Sequence, residues 1–187
     1  MIKNYMSNPD KFFVYMARIW KNAVDHGWHE TPLSSDHYLG LIMTEVSEAI
    51  EADRNRRIAY PHSFKKDIKL GYDFKISYNQ YIKGSIEEEF ADIVIRILDM
   101  VCELYGSKMH WAGYNDDGSN YQVNRSFVEN AWIFVKANLG ISKPSISDSI
   151  SFMYAWADYL DIDLDQQIEW KMKYNELRPY KHGGKRY

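Results

Sequence analysis

The sequence predicts an all-α protein, on three observations. Apolar residues recur at helical spacing in long runs, and these runs open or close on helix-terminating residues. Strand-like patterning is weak and confined to Phe74–Tyr81. The rest is polar connection without low complexity, internal repeat or linker.

The first run extends from about Asp10 to His26, with Phe13, Met16, Ala17, Trp20 and Val24 at helical spacing, and stops at His26-Gly27. In TPLSSDHYLGLIMTEVSEAIEADRNRR, Ser35 or Asp36 serves as N-cap and Leu39, Ile42, Met43, Val46 and Ile50 form one apolar arc. Residues Asn55–Lys83 are polar and aromatic without clear period, broken by Pro61, Gly71 and Gly84. The run SIEEEFADIVIRILDMVCELYG opens on Ser85 with Glu88 three residues on, a capping-box pattern, and closes at Gly106. A turn-rich excursion follows over 107–125. Further helices are predicted over roughly Arg125–Leu139, Ser147–Leu160 and Asp163–Leu177, before Pro179 and a basic tail.

Composition narrows the class. The 187 residues fit one domain, and an apolar fraction of 45% excludes intrinsic disorder. A net charge of -3 lacks the positive field of a nucleic-acid binder. No apolar run has the length to span a bilayer, and the N-terminus carries no signal-peptide pattern, so a cytoplasmic location is expected. The single Cys102 forms neither an intrachain disulfide nor a zinc cluster.

The chemistry-bearing pattern lies in the acids. On a helical wheel Glu45 falls inside the apolar arc of its helix and Glu48 at its edge, whereas Glu51 is on the far face. The Ser85–Gly106 run is apolar around well over half its circumference. Its remaining stripe carries Glu88, Glu89, Asp92, Arg96, Asp99 and Glu103, so that stripe is expected to face another element. Glu45 and Glu48 are three residues apart, as are Glu89 and Asp92. If these faces meet, four carboxylates converge, and a divalent cation relieves their repulsion. An all-oxygen set suits Mg²⁺ or Mn²⁺. ExxE and ExxD also occur on ordinary solvated helices, and only the apolar surround argues against that here. A di-iron centre is disfavoured, because none of the six histidines stands three residues after a helical Glu.

LIMTEVSEAIEADR followed by EEEFADIVIRILDM resembles the ExxE…ExxD signature of the MazG-like all-α nucleoside triphosphate pyrophosphohydrolases, the superfamily that includes the dimeric dUTPases. KMKYNELRPYKHGGK resembles the closing segment of many of these proteins, and VDHGWHE a turn before their first acidic helix. The resemblance implies a four-helix core with additional helices, a homodimer or homotetramer, and Mg²⁺-dependent hydrolysis of a nucleoside triphosphate to the monophosphate and pyrophosphate. It implies Glu45, Glu48, Glu89 and Asp92 as metal ligands, and Glu48 or Glu88 as the group that orients or deprotonates water. The connection from Glu48 to Glu89 is longer than the family's usual one, which marks residues 55–85 as an insertion.

Phosphate chemistry also asks for cations, and Lys171, Arg178, Lys181 and Lys185 stand in the closing helix and tail. A solvated basic end is the plainer reading of that tail. His26 and Trp28 are candidates to bond or stack on a base, and Asn175 to read a base edge or sugar hydroxyl, while Trp20 is expected in the core. Asp99 is expected to pair with Arg96 or Lys171, and Glu103 to lie on the surface. The competing functional reading is a non-catalytic helical adaptor or phage-type regulatory module that keeps the fold. Neither reading involves a nucleic acid or a membrane.

Overall fold

The computed structural model describes residues 9–106, 123–138 and 146–184. Among them are nine helices and no strand. They are α1 (Pro9–Asp25), α2 (Ser35–Arg54), α3 (Pro61–Lys69), α4 (Phe74–Tyr81), α5 (Ile86–Tyr105), α6 (Phe127–Asn138), α7 (Ile146–Tyr159), α8 (Leu164–Glu176) and a terminal turn, α9 (Lys181–Gly184). Most of the 107–125 excursion, His110 and Lys185 lie outside the described residues.

Helix α5 is the axis of the molecule. It packs against α1, α2, α7 and α8, and α1, α2, α5 and α8 form the central helical core. Phe90, Ile93, Val94, Leu98 and Val101 are fully buried, and Phe90 meets Trp156 of α7 with ring centroids 4.7 Å apart. Each such side chain contributes about 1.5–3 kcal/mol by leaving water. The Ser85 hydroxyl accepts from the Glu88 amide, as the capping pattern predicts. The cap of α2 lies one residue earlier than expected, at Ser34, whose hydroxyl accepts from the His37 amide.

The buried face of α1 differs from the expected one. Phe12, Tyr15, Met16, Ile19 and Ala23 enter the core, while Phe13, Trp20 and Val24 stay exposed. Both stripes have helical period, so docking on α5 and α8 decides between them. In this orientation Arg18 reaches α8, with Nη1 3.2 and 3.0 Å from the two carboxylate oxygens of Glu169. Trp20 is therefore not core, and its Nε1 donates to Glu103 Oε2 at 3.2 Å. Met43, expected in the apolar arc of α2, is also exposed.

Residues Phe74–Tyr81, where strand signals stood, form helix α4. Asp73 caps it by accepting from the Ile76 amide at 2.8 Å. Phe74 and Tyr78, four residues apart, stack on one face with centroids 5.9 Å apart. The insertion is thus a helical hairpin, α3–α4, closed at its base by Tyr60 N–H to Tyr81 C=O and Ile86 N–H to Arg57 C=O. A small second cluster (Ala59, Phe64, Tyr78, Ile82, Tyr174) fastens this hairpin to α8.

At the other end of the core, Gly27 (φ +78°) turns the chain out of α1. A Cβ there would lie 2.4 Å from the Tyr180 ring, so the turn and the tail require glycine at this position.

Candidate metal centre

The acidic faces of α2 and α5 do meet. Glu45, Glu89 and Asp92 each bring one carboxylate oxygen within 4.8 Å of the others. Glu45 and Glu89 are buried, at 7% and 5% exposure. They stand in a cleft of about 320 Å³ whose walls come from α1, α2, α5, α8, the tail and the α4–α5 turn. That volume is within the roughly 300–1,000 Å³ of small-molecule sites.

Cations already brace two of these acids. Arg96 Nε donates to Glu45 Oε1 at 3.0 Å. Lys171, only 6% exposed, bridges Glu88 Oε1 at 2.6 Å and Asp92 Oδ2 at 2.5 Å. Glu89 Oε2 is buried with no hydrogen-bond partner. Burial, then the Asp92 and Glu88 charges, push the Glu89 carboxyl up to about 9. Burial likewise raises Asp92 to about 7, against the opposing charge of Lys171. Burial works against the Lys171 charge, yet Asp92 and Glu88 hold its ammonium above the ordinary value.

A buried carboxylate oxygen without a partner costs free energy that a hard cation recovers. The three acids, with oxygen donors only and an orphaned oxygen among them, fit Mg²⁺ or Mn²⁺.

The fourth expected ligand, Glu48, lines the same cleft but is exposed and lies outside the three-oxygen cluster. Glu88 is fully engaged elsewhere. Its Oε1 accepts from Lys171 and from the Tyr78 hydroxyl (3.1 Å), and its Oε2 from the Gly84 amide. It anchors the α4–α5 turn from the wall of the cleft.

Arg178, Asn175 and Trp28 line the cleft as expected. The Asn175 Oδ1 is buried without a partner, and Trp28 meets His182 edge-on at 5.0 Å. Desolvation lowers the Arg178 pKa against the charges of Asp92 and Glu88, and its guanidinium makes no close ion pair among the described residues.

Two expected substrate contacts are placed otherwise. His26 spends both ring nitrogens on backbone carbonyls, 2.7 Å from Asn22 O and 2.9 Å from Arg178 O. It braces the tail that carries Arg178. Lys181 pairs with Glu30 at 2.6 Å, and Tyr180 bonds the same carboxylate, so Lys181 serves as a strap outside the main cleft.

Asp99 and Glu103 also differ from expectation. Asp99 accepts from His29 Nε2 at 2.8 Å, not from Arg96 or Lys171. Glu103 accepts from Trp20 and lies 3.2 Å from His29 Nδ1.

The sequence reading missed Tyr78, Lys83, Arg18 and the pairing of Arg96 with Glu45. The signal for Arg96 was legible: a lone arginine four residues beyond Asp92 in an acidic stripe on a buried helix. Tyr78 stands in a segment of weak strand signals and no clear helical period.

Comparison with known proteins adds no relative: no family model, curated protein or solved structure matches this chain.

Proposed function

We propose that the chain is a Mg²⁺- or Mn²⁺-dependent nucleoside triphosphate pyrophosphohydrolase, releasing the monophosphate and pyrophosphate. The observation that carries this reading is the buried Glu45–Glu89–Asp92 cluster, with its orphaned Glu89 oxygen, in a cleft that Arg178 and Lys83 also line. The motif resemblance supplies the reaction class.

Glu45, Glu89 and Asp92 would hold the metal, and Glu48 at the rim is free to add a ligand or orient water. A divalent cation bound there supplies charge neutralisation at the α-phosphate and a more acidic bound water. Lys171 keeps Asp92 and Glu88 fixed in their positions. Arg178, which makes no close ion pair among the described residues, is suited to bidentate contact with phosphate oxygens. Trp28 offers a ring for a base, and the Asn175 amide oxygen an acceptor for a sugar or base donor.

The test is a panel of ribo- and deoxyribonucleoside triphosphates with Mg²⁺, scored for pyrophosphate against orthophosphate, in H₂¹⁸O. Expected products are monophosphate carrying the label and unlabelled pyrophosphate. Glu45→Ala and Asp92→Ala abolish turnover with helical content retained. Orthophosphate with diphosphate as products refutes the cleavage point. Full activity in both variants refutes the site. No turnover of any nucleotide, with no metal binding, favours the adaptor reading.

A further inference from the structure

The cleft contains more charge than the metal site uses, and its pairing is uneven. Arg18 is occupied by Glu169 and Glu176, Arg96 by Glu45, and Lys171 by Glu88 and Asp92. Two of the lysines and arginines lining it, Arg178 and Lys83, make no close ion pair among the described residues, although the Asp92 and Glu88 charges act on Arg178. Lys83 belongs to the inserted hairpin, which the functional reading leaves without a role.

Its backbone is tightly held. The Lys83 amide donates to Tyr78 C=O at 3.0 Å, and its carbonyl accepts from Arg57 Nη2 at 3.2 Å. The next residue, Gly84, has φ +71°, and its amide donates to Glu88. A Cβ on Gly84 would press within 3.1 Å of the Arg57 guanidinium. The Lys83 ammonium stands 6.0 Å from the Tyr174 ring centre, and Lys171 Nζ stands 5.8 Å from the same centre. Tyr174 in turn stacks on Tyr78 at 4.4 Å. An aromatic ring that two ammoniums share therefore links Lys83 to the Asp92 carboxylate.

The cleft has a direction along α5. Lys83 and Gly84 lie just before its first residue, Glu89 and Asp92 follow, and Arg96 and Asp99 stand further along, where they share a second, smaller pocket with Trp28. From residue 88 to residue 99 the helix rises about 16 Å.

We propose that Lys83 binds the terminal phosphates of the substrate, so that the nucleotide lies along α5 with its phosphates toward Gly84 and its base toward Trp28. This rests on the functional reading above and deepens it. The insertion is then a wall of the site, and its aromatic cluster with α8 serves to set Lys83 in place. An exposed lysine on a fixed turn gives a mobile positive charge on a rigid base, suited to a leaving group that gains charge as the bond breaks.

The test uses two probes that report the two ends separately, inorganic pyrophosphate with Mg²⁺ and a nucleoside monophosphate with Mg²⁺, by calorimetry on the full chain. Lys83→Met is expected to weaken pyrophosphate binding at least about tenfold, as for loss of a charged hydrogen bond. It should leave monophosphate affinity within about twofold. Trp28→Ala is expected to do the reverse. Urea midpoints of both variants establish that they fold, and Lys83→Arg is expected to restore most of the pyrophosphate affinity. Unchanged pyrophosphate binding in Lys83→Met overturns the assignment while leaving the pyrophosphohydrolase reading intact. Interchanged effects of the two variants overturn the orientation. A wild-type chain that binds no pyrophosphate with Mg²⁺ overturns both.

Discussion

Replacing Glu89 by Gln is expected to stabilise the metal-free protein, by an amount that grows with pH. Glu89 is buried, one of its oxygens has no partner, and its pKa is raised from 4.5 to about 9. A carboxyl whose folded-state value is raised contributes its full stability below pH 4.5, and that contribution falls as pH climbs to about 9. At pH 7.5 the folded chain keeps a proton that the unfolded chain has released. Roughly three pH units of that mismatch cost about 4 kcal/mol. Glutamine has the same shape and no proton to release, so Glu89→Gln removes the penalty. In urea unfolding with a chelator, the two proteins should agree within about 1 kcal/mol at pH 5, where both side chains are neutral. At pH 7.5 the variant should be more stable by up to about 4 kcal/mol. Glu51→Gln, at an exposed site facing away from α5, is the control and should change stability by less than about 1 kcal/mol at either pH. Saturating Mg²⁺ should reverse the order by stabilising wild type alone. A Glu89→Gln difference that is equal at the two pH values, or a variant less stable at pH 7.5, refutes the buried-charge account.

Three further outcomes are expected. Lys171→Met strands the Glu88 and Asp92 carboxylates in a buried site and should cost about 3–5 kcal/mol in the same unfolding assay; a loss below about 1 kcal/mol contradicts the bridge. Burial works against the His29 charge, but the Asp99 hydrogen bond and charge, with Glu103, raise its pKa above 6.5. An NMR titration should therefore place the His29 midpoint above 6.5 and show it falling in Asp99→Asn, and the stability this pair adds is present below pH 6.5 and lost as pH rises through the folded-state midpoint. The uncovered Phe13, Trp20 and Val24 stripe on α1 leads us to expect at least a dimer, as in the resembled family; sedimentation at micromolar concentration should give a multiple of 22.1 kDa, and Phe13→Asp with Val24→Asp should shift it toward one chain.

The sequence alone was enough to determine the all-α class and the two long helices that carry the acids. Helical period, with the Ser85 cap and the Gly106 stop for α5, places α2 and α5 to within a residue or two, because these are local signals that depend on neighbours three and four positions away. The placement of Glu45 in an apolar arc, and of Glu89 and Asp92 on the polar stripe of a buried helix, was legible for the same reason. What the sequence left open was which surfaces meet. Helix α1 carries two apolar stripes of equal period, and only its packing on α5 and α8 selects Tyr15 and Ile19 over Trp20 and Val24. Phe74–Tyr81 carries weak strand signals and is a helix, with Asp73 as its cap and its aromatic face against Trp170 and Tyr174 about a hundred residues away in sequence. The ion pairs of the cleft follow the same rule. Lys171 with Asp92, Arg96 with Glu45 and His29 with Asp99 join residues 51 to 79 positions apart, and so exist only once the elements that carry them are docked.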